Sequence, residues 1–489
     1  MKISFLEGEV WYPAVSSYGT AMPYTKEFTG EVKFRDNPTP NQMTPLLLSN
    51  KGRLVYKEDG FNANFSKGSL ETDVETTFVE GLVTLREAYK YAVKHYFDKE
   101  EINIPIKFTE RPVYNTWMYA PFDVTQEQTI SYAEDILELG LPAGTIMIDD
   151  KWNKEYGEWE FDEKKFPSPD KMAAALKEMG FSLMVWVCPY ISFGTKAYEY
   201  CLENNLLLMD GEEAFKLVWW NETSACLDLR KEEALDYMRG IFKRLTDIGV
   251  DGFKMDGGDS AFYKPEHEPD KQSYLWAKLA AEYPFNEIRA DFNTAGMSIF
   301  ERLCDKRHEW GERGIAALVP DTLALGLAGH PFTSPDMIGG GEVSDIREGC
   351  ELKKDIFLAH AGIAALLPSM QFSVFPKLVL GDETDKLLSI MKVREKYLAY
   401  MTQLFKECAK SKEPVVRLLE YVFPDEGFEN VTDMFMLGDK YLVVPITKKD
   451  EVNKLVRLPK GKWLYEGKEY SEKIMVELRL DSVVVIEKN

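Results

Sequence analysis

Residues 250–259 read V-D-G-F-K-M-D-G-G-D. The apolar run has strand character, carries Lys254 and Asp256 on one face two residues apart, and stops at Gly257-Gly258. A closed barrel of alternating strands and helices presents an acid at its rim in this way, on a strand that ends in a lysine and a carboxylate and then breaks on glycines. An acidic turn after any strand would look the same in isolation. The meaning of these residues therefore depends on the chain to either side.

Upstream and downstream, strand-like and helix-like segments alternate. Strands are expected at residues 113–118, 145–148, 182–187, 252–255, 287–290 and 299–304, with helices at 126–139, 171–180, 232–248 and 270–282. Thr125 ahead of a Gln-Glu pair marks a helix start, and Gly140 a stop. Residues 206–225 form an insertion. Residues 315–327 and 331–338 read as apolar but less regular, with Asp321 as a helix cap after Pro320, and helices return at 353–366 and 382–406. Such alternation implies a parallel sheet with right-handed crossovers, and a (β/α)₈ TIM barrel is its natural closure.

Residues 1–110 instead read as short strands (31–34, 53–56, 76–83) between Gly, Pro, Asn and Asp turns, with helical periodicity only at 85–94. From residue 411 the chain is again β, with strands at 415–418, 440–445, 455–458 and 483–486. The expected organisation is an N-terminal β-sandwich-like domain (1–110), a catalytic barrel (111–410) and a small C-terminal all-β domain (411–489).

With 81 acidic and 59 basic residues, the net charge of −22 argues against nucleic acid and anionic membranes as partners. No apolar run reaches the roughly 18 residues a membrane span needs, and the first residues lack the features of a secretory leader. Six cysteines without a C-x-x-C pair point to a reduced, cytoplasmic setting. The five histidines show no metal-binding spacing, so no metal site is expected from sequence. Nothing in the composition opposes a homo-oligomer.

If the barrel forms, its strand ends gather carboxylates and tryptophans: Trp117, Asp149, Asp150, Trp152, Trp186, Lys254, Asp256, Arg289, Asp305, His308, Trp310, Glu312 and Asp336, with Trp220 in the insertion. No Ser–His–Asp set or phosphate loop accompanies them. Carboxylates bond pairs of sugar hydroxyls, and indoles cover the apolar faces of pyranose rings. Two further acids flanking a glycosidic bond suffice for its hydrolysis. Asp256, kept ionised by Lys254, suits the nucleophile. The partner must carry a proton near neutral pH, and here Asp305 and Glu312 stand level. Burial at a strand end favours Asp305, Lys306 and Arg307 oppose it unless they point away, and Glu312 equally fits the first turn of a helix. Asp336, between Pro335 and Met337, equally fits a turn.

K-M-D-G-G-D, I-D-D-K-W, L-M-V-W-V-C-P-Y-I and G-L-A-G-H-P-F-T-S-P-D-M-I-G-G-G resemble, in order, the motifs of glycoside hydrolase family 31 over residues of about 110 to 375. Within that family the likeness is to the branch holding the myogenesis-regulating glycosidase and bacterial α-galactosidases. The resemblance implies a retaining α-glycosidase that acts on small glycosides and needs no metal or organic cofactor. It implies Asp256 as nucleophile and Asp305 as acid/base, although Cys304 and Lys306 stand where many members carry Gly and Asn. Asp149, Asp150, Trp186, Lys254, Arg289, His308 and Asp336 fall at or near substrate-pocket positions. An α-galactoside is the leading expected substrate, with α-glucosides, α-xylosides, transglycosylation or sugar binding without catalysis as alternatives.

Overall fold

The computed structural model describes residues 1–220 and 222–489; Asn221, inside the insertion, lies outside the described residues. Barrel strands β1 (Val113–Asn115), β2 (Thr145–Ile148), β3 (Ser182–Val187), β4 (Gly252–Met255), β5 (Phe285–Ile288) and β6 (Glu301–Arg302) pair in parallel, each with the next. The seventh strand is broken. Thr333–Ser334 pairs with β6, and Met337–Ile338 pairs with β8 (Gln371–Phe372), which returns to β1. With these two pieces counted as β7, eight parallel strands close the ring. Asp336 sits in the break with φ of +71°, a left-handed conformation that an aspartate tolerates better than most residues.

The helices α1 (Gln126–Glu138), α2 (Pro169–Glu178), α3 (Glu232–Ile248), α4 (Pro269–Ala280), α5 (Ile315–Leu327), α6 (Lys354–Ala364) and α7 (Thr384–Ser411) follow their strands, and none separates β5 from β6. The expected cap on α1 is present: the Gln128 amide donates to Thr125 Oγ1 at 3.2 Å, and the Thr125 amide donates to Gln128 Oε1 at 2.9 Å. α3 ends on Gly249 in the left-handed region, the usual helix stop.

Two expectations are overturned between residues 315 and 338. Residues 315–327 are a full helix, and Asp321 lies inside it as a buried ion-pair partner of Lys306 (2.7 Å) rather than at its start. Nearly every residue of α5 is buried, so its sequence has no polar face to betray a helical period, and Pro320 adds a misleading break. The seventh and eighth strands also escaped sequence reading, because two-residue pairings carry no alternation. The insertion folds into short β-pairs.

N-terminal to the barrel, two four-stranded antiparallel sheets form a sandwich around Trp11, Phe34, Leu47, Phe61 and Phe65. The faces of the second sheet that turn away from this core, such as Tyr12, Leu46 and Leu48, join the barrel's own core. The C-terminal domain is a six-stranded antiparallel sheet and a two-stranded antiparallel ribbon, with a separate core around Trp463, Met436, Val456 and Ile486. In the two strands of this ribbon, Asn453–Arg457 and Lys473–Glu477, buried or half-buried residues alternate with exposed ones as a one-sided sheet requires. No helix among the described residues is long and apolar enough to cross a membrane, and all six cysteines are free.

Candidate active site

Period-two alternation on β4 sends Phe253 outward, where it stacks on Phe242 of α3 at 4.2 Å, and turns Lys254 inward. Asp256 follows on the same face, just past the strand. The two glycines after it are required by space: a Cβ on Gly257 would lie 2.8 Å from the Tyr190 ring, and one on Gly258 would lie 2.7 Å from Trp276, both at positive φ. This tight turn lets the Gly257 amide donate to Asp256 Oδ1 at 2.8 Å. The same oxygen accepts from Arg289 Nε at 2.9 Å, and Oδ2 accepts from the Trp186 indole at 3.0 Å. Burial alone would raise this carboxyl. The charges of Arg289, Lys254 and Arg302 and the indole N–H outweigh burial and hold it well below the ordinary range. Asp256 is a half-buried, ionised carboxylate.

The cations are not distributed as the spacing suggested. Lys254 Nζ pairs directly with Asp149 Oδ2 across the barrel at 2.7 Å and acts on Asp256 only through its field, while Arg289 is the direct partner. Asn115 Nδ2 also donates to Asp149 Oδ2, at 2.6 Å. Asp150 has no cation at hydrogen-bond distance; the Tyr156 hydroxyl donates to Oδ2 and the Lys151 amide to Oδ1, each at 2.6 Å. Burial pushes its carboxyl up to about 7.

Arg289 is held in turn by Asp259, whose two oxygens accept from Nη1 and Nη2 at 2.9 Å, and by the Pro40 carbonyl at 2.7 Å. Sequence reasoning did not single out Asp259, although it is the second acid of K-M-D-G-G-D. The Pro40 contact comes from the N-terminal sandwich, and no local signal reports it. Trp117 meets Trp220 edge to face at 5.6 Å, and Trp219 lies parallel to Trp186 at 6.3 Å. Trp152 is instead wholly buried beneath, its indole donating to the Trp186 carbonyl at 2.8 Å.

Asp305 lies on the facing rim, beyond β6. Its two basic neighbours turn away, Lys306 to Asp321 and Arg307 to Ser344 Oγ at 3.0 Å. The cation it meets is Arg302, whose Nη1 donates to Asp305 Oδ1 at 2.8 Å, while Oδ2 makes no hydrogen bond among the described residues. Arg302 is fully buried on the barrel axis and also binds Glu287 (3.0 Å) and Asp336 (2.7 Å). It is the principal residue that sequence reading missed.

Asp256 and Asp305 line one cavity of about 230 Å³ together with Trp117, Asp149, Asp150, Trp186, Trp220, Lys254 and Arg289. Two expected members do not reach it. Asp336 is completely buried behind Arg302 and accepts from the Lys306 amide at 2.7 Å, so its carboxylate braces the rim from within. His308 turns outward and accepts from the Lys353 amide at 2.7 Å. Glu312, the alternative acid, is exposed away from the cavity. Asp259, Phe262 and Glu342 join the lining without having been foreseen. Both lining cations are already paired, so the free polar capacity of the cavity is acidic.

Fold and site together define the class, a (β/α)₈ protein of the glycoside-hydrolase kind. Residues 113–345 match the glycosyl hydrolases family 31 TIM-barrel domain and residues 412–488 the glycosyl hydrolase family 31 C-terminal domain. The chain belongs to glycoside hydrolase family 31. It is 29% identical over 399 residues to the myogenesis-regulating glycosidase of Mus musculus, covering 78% of this chain and 56% of that protein. It is 23% identical over 465 residues to the alpha-xylosidase XylQ of Lactiplantibacillus pentosus, covering 87% of this chain and 59% of that one. The chain thus spans 56–59% of the length of these relatives. Among solved structures, a GH31 family sulfoquinovosidase from E. rectale, in complex with an aza-sugar inhibitor, superposes with a TM-score of 0.84 at 16% identity. That superposition covers 100% of this chain and 82% of the other, a likeness of fold.

Proposed function

We propose that this protein is a retaining, exo-acting α-glycosidase that hydrolyses small neutral α-glycosides, with α-galactosides as the first substrate to test. The reading rests on one observation: an ionised Asp256, held by Arg289 and Trp186, lines the same small cavity as Asp305, whose Oδ2 has no hydrogen bond among the described residues. Asp256 attacks the anomeric carbon as the glycosidic C–O bond breaks, and Asp305 gives its proton to the leaving oxygen. Asp305 then takes a proton from the water that releases the sugar from Asp256. Asp150, bonded to Tyr156, and Asp149 supply polar contacts for ring hydroxyls, and the indoles of Trp117 and Trp186 supply apolar cover.

The cavity, at about 230 Å³, is below the roughly 300–1,000 Å³ usual for drug-sized ligands and suits one terminal sugar. Its lining favours a neutral ring over a sulfonated or carboxylated one, since Lys254 and Arg289 are both engaged by aspartates. α-Xylosides and α-glucosides are the nearest competing substrates.

The test is hydrolysis of nitrophenyl α-galactoside, α-xyloside and α-glucoside, with the first-formed anomer read by NMR. Retention with α-product is expected; an inverted first product excludes Asp256 as nucleophile. Asp256→Ala should abolish turnover in a folded protein. Asp305→Ala should lose about 10²–10⁴-fold on a substrate with a poor leaving group and far less on an activated aryl glycoside. An equal loss on both, or the larger loss in Glu312→Ala, would move the acid elsewhere.

A further inference from the structure

On the outside of the barrel wall, where it meets the N-terminal sandwich, three ionisable side chains from separate segments converge. Arg302 of β6 faces the barrel axis, so its neighbour Glu301 faces outward, towards Gln42. Asp291, after β5, and His330, before β7, close on it from either side. The ligand atoms of Asp291, Glu301 and His330 lie within 4.8 Å of one another, and all three residues are buried, with at most 1% exposure.

The cluster is incompletely bonded. His330 Nε2 lies 3.7 Å from Asp291 Oδ2 and Nδ1 lies 3.5 Å from Glu301 Oε1, too far for hydrogen bonds of ordinary length. Among the described residues, both ring nitrogens, Asp291 Oδ1 and Glu301 Oε1 have no hydrogen-bond partner beyond what the Asp291–Glu301 pair offers itself. The other oxygens are occupied: Thr294 Oγ1 donates to Asp291 Oδ2, and Gln42 Nε2 donates to Glu301 Oε2 at 2.6 Å. Among the described residues no lysine or arginine forms an ion pair with either carboxylate. Other buried acids nearby do have one, Glu287 with Arg302 and Asp321 with Lys306. Two carboxylates enclosed without a cation are costly, and the structure around them offers only a neutral or singly charged imidazole.

We propose that Asp291, Glu301 and His330 bind one divalent transition-metal ion of the zinc class as a structural site that fastens the N-terminal sandwich to the barrel. One imidazole with two carboxylates suits zinc, whereas calcium and magnesium take six or more ligands that are almost all oxygen. Gln42 Oε1, on the amide whose Nε2 donates to Glu301, has no hydrogen bond among the described residues. The amide of the next residue, Met43, donates to the Asp291 carbonyl at 3.3 Å, so the strand carrying these groups is already tied to the site. None of the three residues lines the cavity of Asp256 and Asp305, so the site is independent of the proposed hydrolysis.

The test uses the tag-free full chain, expressed in zinc-supplemented and zinc-depleted medium, with metal content read by mass spectrometry and stability by thermal melting. About one zinc per chain is expected from the supplemented medium, with a higher melting temperature than the depleted protein. His330→Asn and Glu301→Gln should lower zinc content roughly tenfold or more and remove the difference between the two preparations. A wild-type protein that stays metal-free in zinc-rich medium and melts identically in both overturns the proposal; a proton shared by Asp291 and Glu301 would then neutralise the pair. Zinc retained at the wild-type level in folded His330→Asn overturns it equally. Where a variant fails to fold, the two wild-type preparations decide the matter alone.

Discussion

Asp150 and Asp256 line one cavity in opposite electrostatic settings. Asp256 is surrounded by positive charge and stays ionised, whereas burial around Asp150 lifts its carboxyl to about 7. The native state therefore keeps a proton on Asp150 that the unfolded chain has already released between its ordinary value and about 7. The favourable contribution is full at low pH and is lost as pH rises through that window. Asp150→Asn stays neutral throughout, so its melting temperature should fall less than that of the wild type between about pH 4.5 and pH 7.5. Parallel melting curves for the two proteins would show that Asp150 titrates normally. At this scale the sequence was informative where a residue closes a patterned strand, as Asp256, Asp149 and Trp186 do. It was silent on Asp259, whose partner Arg289 is thirty residues on. It misdirected His308 and Asp336, because position near a strand end does not say which way a side chain turns.

At the scale of elements, β5, β6 and the broken β7 are tied together by Arg302, which bonds Glu287, Asp305 and Asp336 from the barrel axis. A buried guanidinium shared by three carboxylates leaves uncompensated charge behind when it is removed. Arg302→Ala should cost about 3–5 kcal/mol in urea unfolding and lower kcat, since Asp305 loses its anchor. A loss within about 1 kcal/mol would mean that water replaces the guanidinium. Strands and helices with a clear period were legible, and β2, β3, β4 and α3 occupy the residues their patterns foretell. α5 was not, because a helix surrounded by protein on all sides has no polar stripe to set its phase.

Across the whole molecule, the sandwich and the C-terminal domain each keep a core of their own and each lend one face to the barrel's core, the sandwich through Tyr12, Leu46 and Leu48 and the C-terminal sheet through Phe435, Leu437 and Val443. The turn Ser16–Ala21 packs so closely on α5 that a Cβ on Gly19 would lie 2.3 Å from the Pro320 carbonyl oxygen. Pro40 of the sandwich completes the hold on Arg289. A chain lacking residues 1–84 should therefore expose the apolar surface of α5 and fail to accumulate as soluble, active protein. Soluble expression with unchanged KM would show that the sandwich is dispensable to the site. Strand and helix periods, turn residues and acids at strand ends are local properties, and the chain by itself determined these, and with them the barrel; its residues alone left Asp305 and Glu312 level as the partner of Asp256. Which cation meets which acid, how the barrel closes through a split strand, and the gathering of Asp291, Glu301 and His330 were decided only by the tertiary structure. Those contacts join residues that become neighbours when strands curve into a ring and a second domain settles on its wall, and charge interactions depend on distance in space rather than along the chain.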